Sequence, residues 1–150
     1  MKLGTLCYVK ENGKTLMLHR VKKENDVHYG KWNGLGGKIE QGESPEVCVQ
    51  REVLEESGLT ITNPHFCGVM TLPDFHGEDW YIFIFTAREF TGELIDSPEG
   101  ELSWIADEEL LDLELWSSDT HFIPLLEKKL FSATFWYEGN ELKKRDIVEY

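Results

Sequence analysis

The sequence predicts a mixed α/β (α+β) fold in which a mixed β-sheet is flanked by helices. Strand-like runs predominate, helical segments lie between them, and one strongly apolar run, Trp80 to Phe85, indicates a buried core strand. Because 150 residues with 41% hydrophobic side chains can bury one sizeable core but not two, we expect a single domain over residues 1–150.

The strands are predicted from short β-leaning runs separated by turn residues. Leu3–Val9 and Leu16–Arg20 flank Asn12-Gly13, a pair that is typical of tight hairpin turns. The apolar run is expected to be deeply buried along its whole length. The later strands and the turn of a final hairpin are predicted at His65–Met70, Trp80–Thr86, Leu102–Ala106 and Gly139-Asn140.

A capped helix is predicted over Pro45–Ser57. Ser44 is a favourable N-cap, proline suits the first helical position, and Gly58 supplies a stop. Val47 and Leu54 lie on one side of this helix and valines flank its acidic stripe, so we expect packing on more than one side.

The remaining segments are less regular. Val21–Lys31 is polar without a clear period and is predicted to be a loop. Asp107–Leu113 favours a helical turn or two, and Pro124–Phe131 a longer helix.

Charge and cysteine content exclude several classes of function. A net charge of -13 argues against a protein that binds a nucleic acid polymer, which needs lysines and arginines to displace counterions from phosphates. Three cysteines without a CxxC pair suggest neither a disulfide framework nor a zinc ribbon, and favour the reducing cytoplasm. No run predicts a membrane span or targeting segment. A monomer and a homodimer both remain open.

Three glutamates form the strongest chemical signal. Glu52, Glu55 and Glu56 stand at i, i+3 and i+4 of the predicted helix, about 5 to 6 Å apart at Cβ. Such like charges cost roughly 0.2 to 0.5 kcal/mol per pair unless a cation offsets them. Oxygen ligands without histidine or cysteine favour Mg²⁺ over zinc. The alternative is a solvated acidic helix face, the usual meaning of such a cluster in an acidic protein.

The spacing around these acids decides between the two interpretations. It runs Gly37, five residues, Glu43, seven residues, Arg51-Glu52-Val53, one residue, Glu55-Glu56, one residue, Gly58-Leu59. This pattern resembles the complete Nudix box, a far more specific signal than a lone glycine motif.

The resemblance to Nudix hydrolases implies a fold, a metal and a reaction. The fold is an α/β/α sandwich, and the metal is Mg²⁺ or Mn²⁺ held by Glu52, Glu55 and Glu56 with the Gly37 carbonyl. The reaction is attack of water on a phosphorus of a nucleoside diphosphate derivative. Glu52, Glu56 and the distant Glu99 are the candidate general bases.

Arg51 has two possible roles. It is either a surface cation beside acids or a guanidinium fork that orients Glu43 or a carboxylate of the box, and we favour the fork.

Two further segments, Trp32–Lys38 and Trp116–Phe131, resemble MutT-type enzymes of oxidised purine nucleoside triphosphates. There Asn33 would bond a purine edge, Trp116 would stack on the base, and Asp119 would accept from an N–H. Trp32 and Lys38 are further candidate substrate-binding residues. Taken singly, the tryptophan reads as an aromatic plug, the aspartate as a helix cap and the asparagine as a turn residue.

The expected activity is therefore Mg²⁺-dependent hydrolysis of a nucleoside triphosphate, with 8-oxo-dGTP as the leading substrate. The resembled enzymes carry two adjacent acids where this chain has Ser118 before Asp119, so its breadth across oxidised guanine and adenine stays open. The alternatives are another Nudix substrate, such as a normal triphosphate, a dinucleoside polyphosphate or a nucleotide sugar, and a nucleotide sensor that has lost turnover. The intact acids argue against a sensor.

Overall fold

The computed structural model describes residues 1–150, which form one large sheet, a small sheet and two α-helices. The strands are β1 Lys2–Glu11, β2 Lys14–His19, β3 Trp32–Asn33, β4 Leu59–Thr62, β5 His65–Phe75, β6 Glu78–Ala87, β7 Glu89–Gly92, β8 Glu101–Ala106, β9 Phe131–Glu138 and β10 Glu141–Glu149. The helices are α1 Pro45–Ser57 and α2 Ser117–Phe122, with 3-10 segments at Asp107–Asp112 and Ile123–Leu125.

The large sheet is mixed and draws on both ends of the chain. Its order is β10-β9-β5-β6-β1-β2-β3, with β8 also paired to β2. The β1–β6 and β5–β9 pairs are parallel, and the other pairs are antiparallel. Strands β4 and β7 form the separate two-stranded sheet. The predicted mixed sheet is confirmed.

Side chains alternate in direction along each strand, so the core is divided into two halves, one on each face of the sheet. In β1, Cys7 and Val9 belong to the cluster that contains Val53 of α1, whereas Tyr8 packs in the cluster that contains Phe122 of α2. A helix therefore covers each face, and the predicted layered arrangement is confirmed. Neither helix has the length and hydrophobicity to cross a bilayer.

Helix α1 begins and ends where the sequence predicts. The Ser44 hydroxyl accepts a hydrogen bond from the Val47 amide at 3.1 Å, and Gly58 ends the helix in the left-handed region at φ 83°. A side chain at Gly58 would also meet the Glu93 carbonyl at 2.5 Å. The stop position thus needs glycine for both backbone conformation and space.

Both predicted hairpins are present. Asn12 and Gly13 adopt φ values of 51° and 73°, as a mirror-image two-residue turn requires, and they join β1 to β2. Gly139 and Asn140 join β9 to β10, with Gly139 at a φ of 59°. The predicted loop at Val21–Lys31 contains no regular element.

The predicted helix at Pro124–Phe131 is wrong. A short 3-10 segment, Ile123–Leu125, is followed by turns, and Phe131 already starts β9. Phe131 is 1% exposed and lies opposite Gly68 of the parallel strand β5. Pairing with that strand overrides the local helical pattern, which the sequence alone could not reveal.

Two burial predictions also fail. Only the second half of the run Trp80–Thr86 is fully buried, because Trp80 and Ile82 form part of a pocket wall. Val47 and Leu54 are 51% and 47% exposed, so α1 packs on one side only. Four short elements, β3, β4, β7 and α2, were not predicted, since two to six residues carry too little periodicity.

Adjacent positions on α1 test this one-sided packing. Val53→Ala removes fully buried methyl groups and should lower the free energy of unfolding by about 1 to 3 kcal/mol. Leu54→Ala, at an exposed position, should change it by less than about 0.5 kcal/mol. Urea denaturation of both variants measures the difference, and equal losses would contradict the assigned orientation of the helix.

Candidate active site

A pocket of about 820 Å³ opens between α1, the first residues of β1, strands β5 and β6, and the start of α2. This volume lies within the range of pockets that hold small molecules. Its lining is acidic and basic at one end and mainly aromatic and apolar at the other. The two ends have different chemistry.

The acidic end is formed by one face of α1. Glu52, Glu55 and Glu56 all line the pocket, as their helical spacing requires. Their exposure is graded, because the Glu55 side chain is 58% exposed, that of Glu52 is 17% exposed, and Glu56 is 4% exposed overall. The stripe therefore runs from solvent into the interior.

Arg51 holds these acids through a network of ion pairs. Its Nε and Nη2 donate to the two carboxylate oxygens of Glu43 at 2.7 and 2.9 Å. Its Nη1 donates to Glu52 at 2.7 Å and to Glu55 at 3.3 Å. The bidentate pairing lowers the pKa of Glu43 to about 2, chiefly through its hydrogen bonds with Arg51. Arg51 thus forms the predicted fork, and it contacts Glu43 and two carboxylates of the box.

Glu56 is the most deeply buried of the three acids. The backbone N–H of Gly36 donates to both of its carboxylate oxygens, at 3.2 and 3.4 Å. Burial raises its pKa to about 8, and the nearby Glu52 and Glu99 add to this effect. A cation beside this group would favour the charged form instead.

Gly37 lies against the carboxyl group of Glu52. A methyl side chain at Gly37 would sit 2.5 to 2.7 Å from the carboxyl atoms of that glutamate. The Gly37 carbonyl accepts from the Thr5 amide at 2.9 Å and only weakly from the Cys48 thiol, at 3.8 Å. The missing side chain therefore leaves space for a carboxylate beside a carbonyl oxygen.

The atoms at this end that could bind a metal are all carboxylate or carbonyl oxygens. Oxygen ligands suit a hard divalent cation better than zinc. As the side chains stand, no three acidic, histidine or cysteine groups converge closely enough to enclose a metal ion. Arg51 and the Gly36 amide hold the carboxylates instead.

Glu99 reaches the same pocket from the loop before β8. Its carboxylate lies 3.7 Å from Arg20 and 3.3 Å from the Lys23 amine. Arg20 is itself paired with Asp26 at 2.9 Å. With Lys38 these residues place three cations among the four glutamates of the pocket lining, where they can contact the phosphate groups of a ligand.

Trp116 dominates the other end of the pocket. It is 6% exposed, and its indole N–H donates to Nδ1 of His28 at 2.9 Å. Phe75 and Tyr137 pack edge-to-face with it, with ring centroids 5.3 and 5.5 Å away. The indole plane is therefore fixed from several sides.

Asp119 lies at the buried edge of this aromatic end. It accepts a hydrogen bond from the Ser118 hydroxyl at 3.2 Å, and burial raises its pKa to about 7. The group is thus divided between its neutral and charged forms near neutral pH. A neutral carboxyl donates a hydrogen bond and a carboxylate only accepts.

The chain is similar to known proteins along most of its length. Residues 2–126 match the family described as the NUDIX domain. The chain belongs to the Nudix hydrolase family. Members of this family generally use divalent metal ions.

Sequence similarity to relatives covers nearly the whole length of this Nudix hydrolase. It is 36% identical to an oxidized purine nucleoside triphosphate hydrolase of Danio rerio, over 99% of this chain and 92% of the relative. The enzyme of that name from Mus musculus is 35% identical, over 93% and 89%. A crystal structure of a MutT protein from Bacillus halodurans superposes with a TM-score of 0.87 at 32% identity, covering 98% and 97%.

Most residues singled out in the sequence meet in this pocket of the Nudix hydrolase. Its lining includes Asn33, Gly37, Lys38, Glu52, Glu55, Glu56, Glu99, Trp116 and Asp119. Arg51 contacts the lining acids from outside it, and Trp32 stacks on His19 at 4.3 Å rather than lining the pocket.

The sequence did not predict several other lining residues. Lys23 lies in the unassigned loop, where the Lys22-Lys23 pair is a local positive signal in an acidic chain. Arg20, His28 and Tyr137 carried no comparable signal, because only the fold brings them to the pocket.

Gly37→Ala tests the space beside Glu52. The new methyl group would displace a flexible carboxylate rather than backbone, so stability should change by less than about 1 kcal/mol while hydrolytic activity falls at least tenfold. In Gly36→Ala the methyl group would clash with the Thr5 carbonyl, and that variant should be strongly destabilised. Thermal melts and activity assays of both variants separate the two effects.

Asp119→Asn tests the raised pKa. A folded pKa of about 7 against roughly 4 in the unfolded chain means that the stabilisation from holding the proton is present at low pH and lost as the pH rises through 7. The variant lacks this titration, so its stability relative to wild type should increase between pH 4 and 8, by at most about 4 kcal/mol. Urea unfolding at several pH values measures the increase, and a flat difference would refute the shift.

Proposed function

We propose that this Nudix hydrolase cleaves oxidised purine nucleoside triphosphates, with 8-oxo-dGTP as the leading substrate, to the monophosphate and pyrophosphate. The observation that carries the proposal is a single pocket with the box acids at one end and Trp116, Asn33 and Asp119 at the other. A nucleotide has the same polarity, with a charged polyphosphate at one end and a flat base at the other. The names of the two relatives support this choice of substrate.

The residues of the acidic end fit Mg²⁺, with Mn²⁺ as a substitute. Glu52, Glu55 and Glu56 would hold the ion together with the Gly37 carbonyl, because these oxygens share one end of the pocket and no nitrogen or sulfur ligand competes. Bound there, such an ion polarises phosphoryl oxygens and lowers the pKa of a bound water. Arg51 positions two of the carboxylates through its Nη1 atom.

The cations at the acidic end would bind the phosphates. Lys23 and Lys38 line it and Arg20 is held there by Asp26, so three cations are available to phosphate oxygens in a chain of net charge -13. In the reaction, water forms a bond to one phosphorus of the α–β anhydride while the bond from that phosphorus to the bridging oxygen breaks. The monophosphate and pyrophosphate separate, and a carboxylate takes the proton of the water.

Glu52, Glu56 and Glu99 remain the candidates for that carboxylate, since all three line the pocket.

At the base end, Trp116 would stack on the purine and Asn33 would bond its edge. Oxidation of guanine at C8 turns N7 from an acceptor into an N–H donor. Asp119 can accept from such a donor when it is charged and can donate when it is neutral, and its pKa near 7 gives access to both forms. Trp32 would act indirectly, by supporting the adjacent Asn33 in β3.

We place this activity in a reducing cytoplasm. The three cysteines are free and buried, so nothing in the fold depends on an oxidising compartment. The proposed ligand is a small nucleotide rather than a nucleic acid polymer or a membrane. Assembly as a monomer or a homodimer is compatible with this pocket.

A screen of nucleotides with a Glu56→Gln control tests the function. With Mg²⁺, wild type should release pyrophosphate from 8-oxo-dGTP with a higher kcat/KM than from dGTP, and a chelator should abolish release. Glu56→Gln keeps the acceptor for the Gly36 amide but loses the charge, so turnover should fall about 10²- to 10⁴-fold with the fold intact.

Glu46→Gln, on the first turn of the same helix and outside the pocket, is the matched control and should leave turnover unchanged. Near-normal activity of Glu56→Gln would overturn the assignment of the acids. A preference for normal triphosphates, dinucleoside polyphosphates or nucleotide sugars would keep the hydrolase and replace the substrate. Nucleotide binding without any turnover would indicate a sensor.

A further inference from the structure

The loop between β2 and β3 brings one residue of unassigned role, His28, into the base end of the pocket. Its imidazole meets Trp116 edge-on, with ring centroids 5.6 Å apart and an interplanar angle of 82°. The loop is held by the Arg20–Asp26 ion pair, and the other oxygen of Asp26 accepts from the His28 amide at 3.0 Å. His28 is therefore fixed on both its backbone and its ring.

The hydrogen bond to Trp116 determines the state of this histidine. An indole N–H can only donate, so Nδ1 of His28 must accept and its proton must reside on Nε2. No hydrogen bond within the chain involves Nε2. A polar N–H in a pocket wall is thus available to a ligand.

The surroundings of His28 favour this neutral form. Burial lowers its pKa, and the nearby Arg20 and His76 lower it further, whereas Asp26 opposes them. On the tryptophan side the neighbouring charge is Lys31, whose amine lies 5.3 Å from the Trp116 ring centroid. The imidazole therefore stays uncharged at neutral pH and can both accept and donate.

We propose that His28 is a specificity-determining residue of the base pocket, which positions Trp116 through Nδ1 and donates from Nε2 to a carbonyl oxygen of the bound base. The inference rests on the proposed function and adds a further donor to the base end of the pocket. Asn33 and Asp119 bond other groups of the base, while an oxidised purine carries a carbonyl at C8 where the normal base has C–H. A donor facing that carbonyl favours the oxidised base.

Two substitutions separate the two roles. His28→Leu removes both nitrogens at similar size, and KM for 8-oxo-dGTP should rise about tenfold while kcat changes less than about twofold. In His28→Asn, the side-chain carbonyl oxygen lies near the position of Nδ1 and can accept from the indole. The shorter side chain has no N–H at the position of Nε2. It should keep Trp116 in place and raise KM by only about threefold.

Val27→Ala is the matched control, an exposed position of the same loop that does not line the pocket, and it should leave KM unchanged.

Parallel assays with dGTP and 8-oxo-dATP identify the carbonyl oxygen of the base that accepts from Nε2. The informative variant is His28→Asn, because it keeps Trp116 in place and loses only the Nε2 donor. A loss in His28→Asn shared by both oxidised nucleotides assigns the acceptor to the C8 carbonyl, and a loss confined to the two guanine nucleotides assigns it to the C6 carbonyl. An equal loss with all three in this variant would overturn the specificity role.

Nitrogen-15 NMR of the imidazole gives a readout that does not depend on turnover. Nδ1 should show the chemical shift of an unprotonated nitrogen and Nε2 that of a protonated one. Addition of 8-oxo-dGMP without metal should move the Nε2–H signal.

The pH dependence of KM gives a second readout. KM of wild type should rise as the pH falls through the His28 pKa, because an imidazolium cannot accept from the indole. His28→Asn should lack this limb, although both proteins retain Asp119.

The outcomes distinguish this inference from the function on which it rests. If wild type hydrolyses no oxidised nucleotide, the proposed function fails and His28 has no base to select. If wild type is active and the folded variants keep its KM, the function stands and the role of His28 is wrong. A proton on Nδ1 of His28 in the NMR spectrum would overturn the contact with Trp116.

Discussion

Mutual repulsion among carboxylates on one face of α1, and its balance by Arg51, is the constraint on which this site depends. Three acids at i, i+3 and i+4 would weaken an isolated helix. Here the guanidinium binds Glu43 with two hydrogen bonds and reaches Glu52 and Glu55 with a third nitrogen. Glu43 precedes the helix, so the fork also ties the preceding loop to it. A planar donor array can serve Glu43, Glu52 and Glu55 at once, which a lysine could not.

The same helix must be anchored firmly for this arrangement to hold. Val49 and Val53 are fully buried on its inner side, and the Ser44 cap and the Gly58 stop fix its two ends. Glu56 reaches the Gly36 amide from this rigid position. Side chains from other elements complete the pocket, including Trp116 from the start of α2 and Tyr137 from the last hairpin. Charged and aromatic chemistry thereby meet within one cavity.

Elements set by neighbouring residues could be predicted from the sequence, and those set by distant contacts could not. The hairpin at Asn12-Gly13 and the helix Pro45–Ser57 followed from adjacent residues, because turn and cap chemistry act over a few positions. The helix expected at Pro124–Phe131 failed, since Phe131 pairs with a strand about sixty residues earlier. Leu54 looked like a packing residue but meets solvent, because nothing covers that side of α1.

The sequence by itself determined the acidic cluster, its helix and the family pattern, since a spacing of three and four residues fixes which side chains share a helix face. Only the tertiary structure decided which residues complete the pocket. His28 lies 88 positions before Trp116 in the chain, and no periodicity relates residues so far apart. The burial that raises the pKa of Asp119 and keeps His28 neutral likewise arises only when distant segments pack around them.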